Sequence, residues 1–290
     1  VLSLVLVTWL PERLSAAEAG QTFATPEAAV AALSAAVSIT NRTALGTLFG
    51  PAAEQLVNPD EVQGAAELGK FTEAFSAAHQ LVRQSETRVI LQVGTNDWPF
   101  PIPLVKRTGG WQFDTEAGLD ELLNRRIGRN ELEVLSTLRA CVEAQRDYAS
   151  QDRDGDEVLE YAQKFASSEG QTDGLYWPTE LNGEISPLGP MVVEAQGAGY
   201  FSESSKTKTE PQPFHGYLFK ILTRQGKNAP GGKYDYIING NMIGGFAFAA
   251  WPAEYGESGI MTFIVNQQGR VYQRDLGANT AKAVKKITAY

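Results

Sequence analysis

From Asn130 the chain runs RNELEVLSTLRACVEAQRDYASQD, with Leu132, Leu135, Leu138, Val142, Gln145 and Tyr148 recurring at spacings of three and four. Such a period lines one face of an α-helix, and Asn130 is a residue type that caps a first turn. The spacing predicts one long helix from near Asn130 to the aspartates at 152–156. After it come GYLFKILTRQG, YDYIING, GGFAFAAWPA, GIMTFIVNQQG and RVYQRDLG, short runs rich in β-branched and aromatic residues with turn residues between them. A helix with one apolar stripe needs a covering layer, and an antiparallel meander of these strands supplies it. A loop rich in Gly, Pro and Ser near 167–213 separates helix from strands.

The first half follows the same α+β logic in another order. Thr25, Pro26 and Glu27 form a helix-start signal, and Val30, Leu33 and Val37 follow at helical spacing. ALGTLFG closes a second helix on Gly50, and Leu68, Phe71 and Phe75 mark the buried side of a third segment. TRVILQVG and FPIPLVKRTGGWQFDT then read as strands, with a hairpin at TGG and Trp111 and Phe113 on one face. Pro99, Pro101 and Pro103 confine the run before it to an edge or an irregular strand. A chain of 290 residues suits two domains, and the change from strands to helix predicts a boundary near 127–130, giving domains of 20–128 and 129–290.

The opening VLSLVLVTWLPERLSAAEAG has an apolar run, Pro11, and small residues at Ala17 and Ala19. It reads as the core and cleavage site of a truncated secretory signal peptide over residues 1–19, with a mature chain starting near Gly20. The expected location is therefore the periplasm, cell envelope or exterior. No later run approaches the roughly 18 apolar residues of a membrane helix, so no membrane insertion is expected after leader removal. Cys141, the one cysteine, permits no internal disulfide, and its neighbours Leu138 and Val142 make it a packed small hydrophobe. A net charge of −9 and a pI near 4.9 argue against nucleic acid as a partner.

Two groups of residues are candidate sites. Asp152, Asp154 and Asp156 alternate as in the first half of an EF-hand loop, but Glu157 and Gln163 stand where that loop needs Gly and a bidentate Glu. The EF-hand reading fails. Two readings stay open: an oxygen cage in which Asp152, Asp154, Asp156 and Glu160 hold calcium around Gly155, or a turn that ends one helix and places acid at the start of the next. His79, Asp97 and Trp98 are candidate pocket residues of the first domain. His215 could pair with Asp235 or Glu254, yet no nucleophile elbow, metal-ligand spacing or phosphate loop accompanies it. No catalytic residue and no cofactor beyond calcium is assigned, and an envelope protein or a small ligand is the expected partner.

The order of helices and curled sheet in the first half resembles the cones of the nuclear-transport-factor-like superfamily, which implies a pocket inside that domain. In the second half, AQRDYASQDRDGDEVLEYA, HGYLFKI and FAFAAWPAEYGESGIMTFIVNQQGRVY resemble the globular part of type IV pilins and pseudopilins. Those proteins assemble through an apolar helical extension, whereas LDELLNRRIGRNELE here is charged, which argues against filament assembly by that route. FATPEAAVAAL, LFGP, GGWQFDTEAGLDELLNRRIGRNEL, AQRDYA, YDYIINGNMIGGFAFAAWPAEYG and GRVYQRDLG together resemble the bacterial exported proteins of domain-of-unknown-function family 2950. That likeness implies an exported protein and brings no activity. The leading expectation is a non-enzymatic envelope module. The others are a hydrolase or ligand-processing protein with its site in the first domain, and a pilin-like component of a secretion apparatus.

Overall fold

The computed structural model describes residues 20–38, 42–58, 60–178, 183–197 and 212–290. The expected leader lies outside the described residues, as do parts of the expected loop, 179–182 and 198–211. The chain is α+β and divides into two compact units: residues up to Val57 with Ala66–Leu122, and Asn58–Ala65 with Leu123–Tyr290. No helix among the described residues is long and apolar enough to cross a membrane.

In the first unit, α1 (Pro26–Ser38) starts where Thr25 Oγ1 accepts the Ala28 N–H at 3.2 Å. It buries Ala29, Val30, Leu33 and Val37 in one cluster with Leu48 and Phe49 of α2 (Arg42–Phe49) and Phe75 of α3 (Glu61–Ala77). The sheet beneath is antiparallel: β1 (His79–Ser85), β2 (Arg88–Val93), β4 (Leu104–Arg107) and β5 (Gly110–Phe113) lie in that order, and the two-residue β3 (Trp98–Pro99) pairs with β2. Trp111 and Phe113 are buried as their alternation predicted, and the hairpin turns at Thr108–Gly109. Strand β1 left no such signal. HQLVRQS sits at the sheet edge with all but Leu81 exposed, so no apolar alternation was required of it.

Helix α4 runs Thr115–Tyr148 and does not start near Asn130. Asn130 is 1% exposed and its side chain is occupied elsewhere, donating to Ser258 O at 2.8 Å and accepting from Gln63 Nε2 at 3.0 Å. The real stripe in the second unit is Val134, Leu138, Cys141, Val142, Gln145 and Tyr148; Leu132 is 68% exposed. Leu132 lies two residues before Val134, and a step of two on a helix turns roughly 200° to the opposite face.

Beyond α4 the segment expected as a loop contains α5 (Gly189–Gly197). The main sheet has the order β13 (Tyr272–Asp275), β12 (Met261–Asn266), β11 (Ala247–Pro252), β6 (Tyr217–Leu222), all antiparallel. Two short pairs interrupt the meander: β7 (Arg224–Gln225) with β8 (Tyr234–Asp235), and β9 (Ile237–Ile238) with β10 (Asn241–Met242). Ala247–Ala250 of β11 are fully buried, so this strand is covered on both faces and carries an unbroken apolar run. Stripe residues of α4 join one core with Tyr217, Phe248, Phe263 and Val265. On β6, Lys220 Nζ donates to the carbonyls of Val284 and Ile287, at 2.5 and 2.6 Å, which fastens the segment after α6 (Thr280–Ala283) to the sheet.

Candidate functional site

The acidic loop follows directly from the end of α4, and its one basic residue anchors it. Arg153 turns inward: its side chain is 7% exposed, its Nε donates to Tyr148 O at 3.2 Å, and its guanidinium lies 5.1 Å from the Trp177 ring and 3.3 Å from a Glu184 oxygen. Alternation then sends Asp152 and Asp154 outward. Asp152 accepts the N–H groups of Gly155 (2.7 Å) and Glu157 (2.9 Å), and Asp156 accepts that of Val158 (2.8 Å). Gly155 and Glu157 both hold positive φ, 79° and 70°. Oxygens of Asp152, Asp154 and Asp156 come within 4.8 Å of one another.

Electrostatics inside the loop are uneven. The Glu157 and Gly155 N–H groups hold the Asp152 carboxyl below its ordinary value. Asp154 is shifted up by loss of water contact and by the charges of Asp156 and Asp152. Glu160 is shifted up by burial first, then by Asp154 and Asp156. Its Oε2 accepts the Met242 N–H at 2.9 Å, so Glu160 is turned to β10 while the three aspartates group together.

No helix begins after Asp156, contrary to the turn reading; residues 158–162 form neither helix nor strand and lie beside β10. The Tyr161 N–H donates to Met242 O at 2.9 Å, Gln163 Nε2 to Gly240 O at 2.7 Å, and Asn241 Nδ2 to Asp156 Oδ2. At the base of the loop Gln145 takes both backbone groups of Ala162, Nε2 to O and N to Oε1, each at 2.8 Å. The partners from 239–243 were hidden from sequence reasoning. The Asn239–Gly240 pair, with φ of 54° and 100°, is a legible tight-hairpin signal, but nothing in it says what the hairpin touches.

The other candidates occupy the first unit's surface. His79 is exposed, stacks on Phe75 at 4.3 Å and keeps Nδ1 3.0 Å from Phe75 O. Asp97, also exposed, has φ 54° and accepts from Gln80 Nε2 at 2.8 Å, and Trp98 is 37% exposed. None of the three lines either of two concavities in this unit, one bordered by Thr43, Gly50 and Glu54, the other by Gln21, Ala36 and Leu48. Burial pushes the Cys141 thiol up to about 12, which keeps it protonated and packed. His215, in the second unit, is half-buried with φ 49°.

The family described as protein of unknown function (DUF2950) matches residues 20–290. No curated protein and no solved structure matches the chain.

Proposed function

From the premise that this chain belongs to the DUF2950 family, we propose that it is an exported, non-enzymatic module of the cell envelope that acts by surface contact. The observation that carries the reading is the braced loop at 152–163. Asp152, Asp156 and Glu160 brace the loop's own backbone and β10 while Asp154 and Glu157 face outward, giving a preformed acidic surface rather than a set of groups poised for proton or acyl transfer. The chemistry of His79 and Cys141 agrees with that reading, one ring being stacked and the one thiol buried. Export is tested by expressing the full precursor in a bacterium and sequencing the N-terminus of the product. A periplasmic or secreted chain starting near Gly20 is expected, and an intact leader on cytoplasmic material overturns it.

A second reading, that the loop takes calcium, is favoured by the three convergent carboxylates. Loss of water contact first, and then the charges of Asp156 and Asp152, shift Asp154 upward, and that repulsion is what a divalent cation relieves. With an extracellular-type Kd of about 10⁻⁴ M, millimolar calcium adds roughly 1.4 kcal/mol, a few degrees in Tm for a chain of this size. Asp154→Asn with Asp156→Asn should abolish the shift. A wild-type melt unchanged by calcium sinks this reading.

A further inference from the structure

We propose that the outer surface of the β9–β10 hairpin and the segment braced to it is a docking site for a polypeptide segment carrying Lys or Arg beside apolar side chains. The inference rests on the surface-contact reading and names the surface and the partner's chemistry. Among the described residues eleven large hydrophobics are exposed, and four of them, Leu159 (58%), Tyr234 (40%), Ile238 (47%) and Ile243 (43%), lie here. They form one neighbourhood. Ile238 is the cross-strand partner of Asn241, whose side chain bonds Asp156. Leu159 precedes Glu160, which holds the Met242 N–H, and Ile243 follows Met242. Tyr234 Oη reaches Gly244 O at 3.5 Å.

The hairpin already fills the core through Met242, which is fully buried, so folding does not call for Ile238 and Ile243 outside it. Contiguous apolar surface with a polar rim marks an interaction site. The rim selects the partner. Asp152, Asp154, Asp156 and Glu157 are exposed on one side, Arg153 is turned inward, Lys164 is paired with Asp173, and beside Tyr234 the cation Arg224 is paired with Asp235, so the four exposed carboxylates outnumber the adjacent Lys233. An acidic rim attracts a basic segment and repels an anionic lipid surface or polyanion.

The test measures binding of the full chain, in chelator, to a synthetic amphipathic peptide of leucine and lysine, its leucine–glutamate counterpart, and phosphatidylglycerol vesicles. Saturable binding of the lysine peptide alone is expected, weakened about tenfold by Ile238→Ser with Ile243→Ser and by Asp154→Asn with Asp156→Asn. Leu159→Ser, in the braced segment rather than the hairpin, gives a second apolar probe if the double variant folds poorly. Equal binding by wild type and variants overturns the proposal, and so does preference for the glutamate peptide or the vesicles. Self-association in sedimentation that the isoleucine pair abolishes assigns the surface to a second copy and equally overturns the basic-segment partner. Because chelator is present, loss of peptide binding with export and the calcium melt intact removes this surface alone.

Discussion

Gln145→Leu lowers the stability of the second unit by about 3 kcal/mol, although leucine is close in volume and helix propensity. Gln145 is fully buried on α4, and its amide takes both the N–H and the C=O of Ala162, itself 1% exposed. Leucine leaves two buried backbone groups without partners, and each costs about 1–3 kcal/mol. For a unit of this size that is a fall of roughly 6–12 °C in Tm, with the denaturant m-value unchanged. The same bond closes the base of the acidic loop, so any calcium response should weaken in the variant. A loss under about 1 kcal/mol would mean that water reaches Ala162 once the amide is gone.

Gly259→Ala is the second large effect, also about 3 kcal/mol, and its origin is space. A Cβ there would lie 2.1 Å from Tyr217 Oη and 2.5 Å from two ring carbons, and Tyr217 is fully buried. The tyrosine cannot yield cheaply. Its hydroxyl donates to Met261 O at 3.0 Å, and Glu131 on α4 accepts the Ile260 and Met261 N–H groups at 3.1 and 3.0 Å. Burial first and then Glu131 push the Tyr217 hydroxyl upward, so it stays a donor. Tyr217→Phe removes the nearest atom, so the double variant should recover at least ~1 kcal/mol relative to additivity. Strict additivity would locate the cost in the backbone instead.

The sequence speaks clearly where burial follows a period and poorly where contacts are long-range. Thr25 as a cap, the α1 stripe, the TGG hairpin and the strands around Phe248 and Phe263 were all legible, because each obeys a local rule. Thr115 was not readable as the start of α4: its hydroxyl donates to Phe49 O at 2.8 Å, a contact across 66 positions, while Asn130 offered a more conventional cap signal. Leu132 was taken for core because it fits the spacing of Leu135 and Leu138, and only the sheet decides that the buried face runs through Val134 and Cys141. At the acidic loop the three aspartates and Gly155 could be read. Arg153's packing on Trp177 and Glu160's commitment to Met242 could not, since those partners lie 24 and 82 residues away.

The placement of α4 also governs the order in which the chain can finish folding as it is made. Its first turns, to Leu122, belong to one unit and the rest to the other, while Asn58–Ala65, synthesised early, belong with the later residues. Gln63 meets its partner Asn130 only after the whole first sheet has been made, and Asn130 in turn awaits Ser258. Vectorial synthesis therefore leaves the Gln63 amide without Asn130 until α4 is made, and Asn130 without Ser258 until the last strands approach, which lengthens the interval in which a holding chaperone is useful.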